Sequence, residues 1–291
     1  AELLLESGYV VESDSPAAAE RRPGRRARLL SFRNDAGHVL GIDIGARKVI
    51  ALVADLAGDT LAAARHDTTA RDRRDAESLL ASVGSAVEEA LGQAKLTADS
   101  LEAVGVGTPG VVDPATGEVT LAPQLGGWEG IPLAARLATG FVCPVLVENE
   151  VRLSVLAERW RGGAQGIDDV FYVQVGVGIG GGILIDGNVY RGATGAAGEI
   201  GYLPLFEERN GRDGLGPFEH AAGATAFARL GRRAAERGES PLLLELANGD
   251  PDAIDAETVF TAAARGDGAA SRIVDELLER LARGVASAVT V

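Results

Sequence analysis

Methionine is absent from the 291 residues, cysteine occurs once, at Cys143, and histidine three times. A single thiol can form no internal disulfide and cannot by itself build the thiolate cluster of a structural zinc site. No stretch reaches the roughly 18 uninterrupted apolar residues that a membrane span needs, and the opening AELLLESGYVVESD lacks the basic region of a signal peptide. The protein is therefore expected in the cytoplasm, with no membrane partner. Alanine stands first, and the closing LARGVASAVTV stops within an apolar pattern without a cap, as expected of a chain trimmed at both ends. Aromatic residues make up only 4%, against 46% apolar residues overall and 39 glycines. That balance excludes a disordered chain and an all-β sandwich, and fits a soluble α/β protein rich in tight turns, long enough for two lobes with their own cores.

Positive charge is also in the minority, 28 Lys and Arg against 42 Asp and Glu, for a net charge of −14. Such a chain repels polyanions in general, so any nucleic-acid contact must be local. One segment could carry it: ERRPGRRARLL places Arg21, Arg22, Arg25, Arg26 and Arg28 within eight positions. The alternative is a solvated linker. The flanks favour the first reading. Residues 1–7 have helical composition and stop at Gly8, YVV reads as a strand, the basic loop follows, and ARLLSF returns as a second strand. Helix, strand, basic loop and strand form the tail of a winged helix, with Arg21, Arg22, Arg25 and Arg26 at the tip of a wing that lies along DNA phosphates or enters the minor groove.

From His38 the pattern changes. HVLGIDIG, KVIALVAD and TLAAARHD are three apolar runs, with Gly58-Asp59 in the last turn, and predict an antiparallel meander. Leu79, Leu80, Val83, Val87 and Leu91 predict one face of a helix, and LEAVGVGTPG a buried strand ending in a Gly-Pro turn. A second meander follows in VFYVQVG, GGILID and NVYRG, with Asp186-Gly187 as a hairpin turn, then helices at roughly 219–237 and 270–289. Each meander opens on a glycine-bearing turn: DIGARK, with Asp43 and Gly45, and GVGIGGG, with Gly176, Gly178 and Gly180. Glycines there let backbone amides approach a phosphate chain, although many such turns only close a hairpin.

GIDIGARKVIALVADLAG, GVGTPGVVD, GWEGIPL, VENEVRLSVLAE, VGVGIGGGILIDGNVYRGATGAAGEIGYLPL and FEHAAG stand in the order and approximate spacing of the ROK family, the bacterial sugar-responsive repressors and sugar kinases, which the chain resembles from about residue 38 to 225 and, through the wing, back to residue 1. The resemblance implies an actin-like (ribonuclease H-like, hexokinase-like) two-lobe α/β fold with a sugar between the lobes, preceded by the remnant of a winged helix-turn-helix. The implied boundaries are 1–36, 37–147 and 148–291. It further implies a sugar pocket at Gly110, Asn149, Glu150, Glu199, Tyr202 and Glu219. Carboxylates and an amide suit sugar hydroxyls. Asn149 also suits a helix N-cap and Glu219 a helix start, whereas Glu199, between Gly198 and Gly201, has no obvious helical role. Trp128 suits either the pocket or the core.

Departures from the family pattern point away from catalysis. Glu150 stands where the kinases have a general-base aspartate, and one extra methylene displaces the carboxylate by about 1 Å, a shift that can cost on the order of a hundredfold in rate. Arg47 and Val177 replace threonines of the two phosphate motifs, which leaves Asp43, Gly45, Gly176, Gly178 and Gly180 as a vestigial nucleotide site. The zinc-ligand positions are taken by Tyr202, Asn210, Arg212 and Pro217, none suited to that metal. The resemblance and its departures together imply a regulator, most simply a repressor, that binds operator DNA and a sugar effector as a homodimer or homotetramer, without zinc, ATP or magnesium. The alternative is an ATP-dependent sugar kinase using Glu150 as base. Replacing Arg21, Arg22, Arg25 and Arg26 with alanine is expected to weaken operator binding and flatten its dependence on salt, read by anisotropy titrations at several salt concentrations; an unchanged slope reduces the stretch to a linker.

Overall fold

The computed structural model of the chain describes residues 2–13, 29–123, 125–206 and 215–290. Arg21, Arg22, Arg25 and Arg26 lie outside the described residues, as do Asn210 and Arg212. A short helix, α1 (Glu2–Glu6), is followed by β1 (Val10–Ser13) and β2 (Leu29–Phe32), which pair antiparallel with Val10 opposite Phe32. Gly8, at φ +80°, takes the left-handed conformation that frees the chain from α1.

The chain divides into two compact units. The first comprises Ala1–Pro109, Ala115–Val119 and Leu125–Glu148. Its main sheet contains β3 (His38–Ile44), β4 (Lys48–Asp55), β5 (Thr60–Asp67), β6 (Leu101–Thr108) and β9 (Val145–Asn149), in the order β5-β4-β3-β6-β9. Both β3–β4 and β4–β5 are antiparallel, as the meander predicts, whereas β3 and β6 run parallel, so the sheet is mixed. Parallel pairing needs a crossover, and α2 (Ala76–Ala94) lies within it. Asp75 caps α2 by accepting from the Glu77 amide, and Lys95 ends it in a left-handed conformation. The helix packs across β4 and β5 and buries Leu79, Val83 and Ala86 where Val49, Ala51 and Val53 alternate inward. Each fully buried Leu or Val contributes about 1.5–3 kcal/mol. Between β6 and β9 lie β7 (Val111–Val112), β8 (Val119–Leu121) and the short α3 (Leu133–Ala138). Trp128 resolves to core: it is fully buried, and its indole Nε1–H donates to the Thr108 hydroxyl at 2.9 Å.

The second unit comprises Gly110–Pro114, Thr120–Gln124 and Asn149–Val291. Its antiparallel sheet is β10 (Val170–Val175), β11 (Ile179–Ile185) and β12 (Asn188–Val189), on which α4 (Glu150–Arg161) packs. Asp186 at φ +50° and Gly187 at φ +73° form the expected hairpin turn, with both central residues left-handed as a type I′ turn demands.

The helical end of this unit differs from the sequence expectation. The single helix predicted over roughly 219–237 is two, α5 (Pro217–Ala222) and α6 (Ala224–Glu236), broken at Gly223, whose extended backbone ends one and starts the other. Between α6 and the predicted last helix, α9 (Gly268–Val289), stand α7 (Pro241–Leu246) and α8 (Ala256–Ala264), each too short for a clear apolar period but each capped, by Ser240 and Asp255. They enclose a core of Phe227, Leu243, Ile254, Val259 and Leu277. No described helix is long and apolar enough to cross a membrane. Trp128→Phe is expected to lower stability by about 1–3 kcal/mol in urea unfolding, because it deprives the buried Thr108 hydroxyl of its donor and leaves a void.

Candidate functional site

All six residues expected at the sugar pocket fall in the second unit. Asn149 ends β9 and caps α4: its Oδ1 accepts from the amides of Val151 (2.9 Å) and Arg152 (3.3 Å), while its Nδ2 donates to the Gly110 carbonyl at 2.8 Å. Gly110 has φ +93°, and a Cβ there would stand 3.0 Å from that of Ala122 and strike the Leu121 carbonyl, so only glycine fits. One buried amide thus ties the Gly-Pro turn to the start of α4. Glu150 is the first residue of that helix and half-buried, where the helix macrodipole favours its negative charge.

Glycines of β11 bring the rest of the site close. A Cβ on Gly180 would lie 2.9 Å from Cγ2 of Val151, and one on Gly182 2.9 Å from the Val151 carbonyl and from Cγ1 of Val155. These glycines let α4 rest on the strand backbone. Gly181 donates its amide to the Gly198 carbonyl at 2.7 Å, and Gly198, at φ +88°, has no room for a side chain against Gly181. Glu199 follows directly, and Tyr202 ends the 3₁₀ turn Ile200–Tyr202.

Glu219 sits in the first turn of α5 and is 7% exposed; its Oε2 accepts from the Gly216 amide and its Oε1 from the Ile179 amide, both at 2.9 Å. The helix-start role is therefore realised, and the same carboxylate fastens the start of β11 to α5. Gly201 must be small for this, since a Cβ would lie 2.5 Å from the Ile179 carbonyl.

Arg152 is the residue that the sequence reading missed. It is 1% exposed, and its guanidinium donates to the carbonyls of Gly195 and Ala197, the latter at 3.2 Å. Its signal was available: Val151 and Val155 mark the buried face of α4, and an arginine beside them in a first turn opposes the macrodipole. Burial pushes the Glu199 carboxyl above the ordinary range; the Arg152 charge opposes this, and the Glu219 charge adds to it. A carboxyl so placed can donate while protonated and accept once ionised, both useful toward a sugar hydroxyl.

The phosphate turns have other occupations. In the first unit the Gly45 amide donates to the Lys48 carbonyl at 2.9 Å and the Gly45 carbonyl accepts from the Thr68 hydroxyl, while Arg47 is exposed. Surrounding protein raises the Asp43 carboxyl, with Lys48 opposing. In the second unit the Gly176 amide donates to the Gly178 carbonyl at 2.8 Å, and the Gly176 carbonyl accepts from Ala224 at the start of α6. Gly180 belongs to the strand, against Val151. Of the expected zinc-position residues that are described, Tyr202 closes a 3₁₀ turn and Pro217 is the first residue of α5, where its missing N–H costs nothing.

A family model described as ROK family matches residues 39–291. A xylose repressor of Caldicellulosiruptor bescii is 29% identical over 290 residues, covering 99% of this chain and 71% of the repressor. Among solved structures, a ROK family transcriptional regulator described as a homolog of the E. coli MLC protein superposes with a TM-score of 0.78 at 26% identity, over 98% of this chain and 70% of that one. A ROK family glucokinase from Streptomyces griseus, in complex with glucose and AMPPNP, gives 0.73 at 30% identity, over 86% and 78%. The α/β fold is thus the actin-like fold of these sugar kinases and repressors.

Arg152→Gln is expected to destabilise the protein by about 3 kcal/mol and to raise the Glu199 carboxyl further. Because the folded carboxyl lies above its unfolded value, the native state holds the extra proton and stability falls as pH rises from the ordinary carboxylate range through the raised one. Urea unfolding across pH should show that fall deepened in Arg152→Gln and reduced in Glu199→Gln, where the share owed to the raised Asp43 carboxyl remains.

Proposed function

The chain belongs to the ROK family, and from that premise we propose that it is a sugar-responsive transcriptional regulator, most simply a repressor. In this reading α1, β1 and β2 are the last part of a winged helix, and Arg21, Arg22, Arg25 and Arg26, which lie outside the described residues, contact operator DNA. A sugar or sugar derivative bound through Glu150, Glu199 and Tyr202, beside Asn149, Glu219 and Gly110, biases that DNA affinity. The observation that carries the proposal is the helix and hairpin ahead of His38. The family model begins at residue 39 and the glucokinase covers 86% of the chain, whereas the repressor and the regulator cover 99% and 98% and so extend through this segment. A pentose, given the name of the repressor relative, is the first effector to test.

Two features favour sensing over catalysis. The amides of Gly45 and Gly176 are engaged within their own turns, and Arg47 and Val177 supply no hydroxyl for a phosphate. The working protein in this proposal uses no zinc, ATP or magnesium, and reads operator half-sites as a homodimer or homotetramer. A second reading, an ATP-dependent sugar kinase with Glu150 as base, is favoured by the likeness to the glucokinase and by the carboxylate kept at the start of α4.

One experiment separates them: ADP release with magnesium ATP and a panel of pentoses, hexoses and amino sugars, alongside thermal shifts in the same panel. The expected outcome is no turnover and stabilisation by one sugar, lost in Glu199→Ala. Turnover abolished by Glu150→Ala establishes the kinase instead. Operator binding is checked on DNA selected from a random pool at moderate salt, and its absence with and without sugars removes the regulator reading.

A further inference from the structure

The segment joining β2 to the main sheet is only five residues, Arg33–Gly37, and the first unit grips it at two points. At the first, Asp55, the last residue of β4 and 7% exposed, accepts from Asn34 Nδ2 at 2.7 Å with Oδ2. Its Oδ1 accepts from the amides of Ala57 and Asp59 at 2.9 and 2.8 Å, and the Leu56 amide donates to the Asn34 carbonyl at 3.0 Å. Those hydrogen bonds, led by that from Asp59, hold the Asp55 carboxyl below the ordinary carboxylate range, so the acceptor stays ionised near neutrality.

The second grip is a bulge. Along the parallel pair β3–β6, His38 faces Leu101 but Val39 faces Ala103, so Glu102 is the extra residue. Bulges re-aim side chains, and that of Glu102 lies against Gly37, where a Cβ would stand 2.7 Å from its Cγ. The carboxylate accepts from the Tyr9 hydroxyl, which raises the tyrosine pKa. Tyr9 in turn holds the hairpin end, its carbonyl accepting from the Arg33 amide at 2.8 Å. Asp55 and Leu101 both pair with His38, so the two grips bracket the first residue of β3.

We propose that the Asn34–Asp55 and Tyr9–Glu102 clasps fix the orientation of the N-terminal hairpin on the first unit, making Asn34 and Tyr9 positioning residues for DNA recognition. Rigidity here selects the register in which a wing meets DNA. It leaves the number of phosphate contacts alone, so its loss lowers specificity and spares non-specific affinity. The DNA part of this inference rests on the regulator reading, whereas the clasp itself does not.

The test pairs two measurements on Asn34→Ala/Tyr9→Phe, which leaves the Asp55 turn contacts in place. Spin labels at Leu30→Cys and Ser85→Cys, in a Cys143→Ser background, report the distance between hairpin and α2. DNA titrations report the ratio of operator to non-specific affinity. The expected result is a narrow distance distribution that broadens in the double variant, with the specificity ratio falling about tenfold at an unchanged salt slope and the sugar-induced thermal shift retained. A distribution that stays narrow overturns the clasp. Broadening with an unchanged ratio overturns the positioning role. If the unmutated protein binds no operator, the regulator reading and the positioning role fall together, and the distance measurement still decides the clasp.

Discussion

The second unit is organised by how closely bare backbone can approach bare backbone along β11. Gly180 and Gly182 admit α4 to the strand, and Gly181 admits the Gly198 carbonyl. Several polar groups of the candidate site stand beside these contacts. Asn149 and Arg152 are on the helix that rests on the glycines, Glu199 follows Gly198, and Glu219 reaches the Ile179 amide at the head of the strand. A phosphate cradle is one use for consecutive glycines; here three of them create room for neighbouring chain.

Packing this tight has an electrostatic consequence. Burial away from water disfavours the charged form of the Glu199 carboxyl, and the Glu219 charge adds to that. The Arg152 charge opposes that rise, while its guanidinium donates to the carbonyls of Gly195 and Ala197. Glu219 is held differently, each of its oxygens accepting from a backbone amide, of Ile179 and of Gly216.

Much of this was legible before any coordinates. Period-two runs and the turn residues Gly58 and Asp186-Gly187 located both meanders, and the spacing of Leu79, Val83 and Leu91 located α2, because those signals are local. The parallel return of β6 beside β3 left no local mark. The break at Gly223 was hidden because the apolar pattern continues across it, and α7 and α8 because six and nine residues span too few turns to show a period. In the candidate site, the family resemblance pointed to Asn149 and Glu219, and their residue types could not divide capping roles from a ligand role. Both roles use the same lone pairs, and only the positions of the amides of Val151, Ile179 and Gly216 show which are taken. Arg152 was passed over since composition treats an arginine as surface until a neighbour at helical spacing says otherwise.

The interleaving of the two units in sequence imposes an order on biosynthesis. Gly110–Pro114 belongs to the second unit although its flanks belong to the first. As the chain leaves the ribosome, the first unit can close once Glu148 has emerged, while Val111 and Val112, both buried in the finished protein, wait for later segments of the second. One of these is the turn at Gly195, whose backbone lies so near the Val112 carbonyl that a Cβ would stand 2.6 Å from it. Until that turn is synthesised, two valines in extended chain are open to non-native partners.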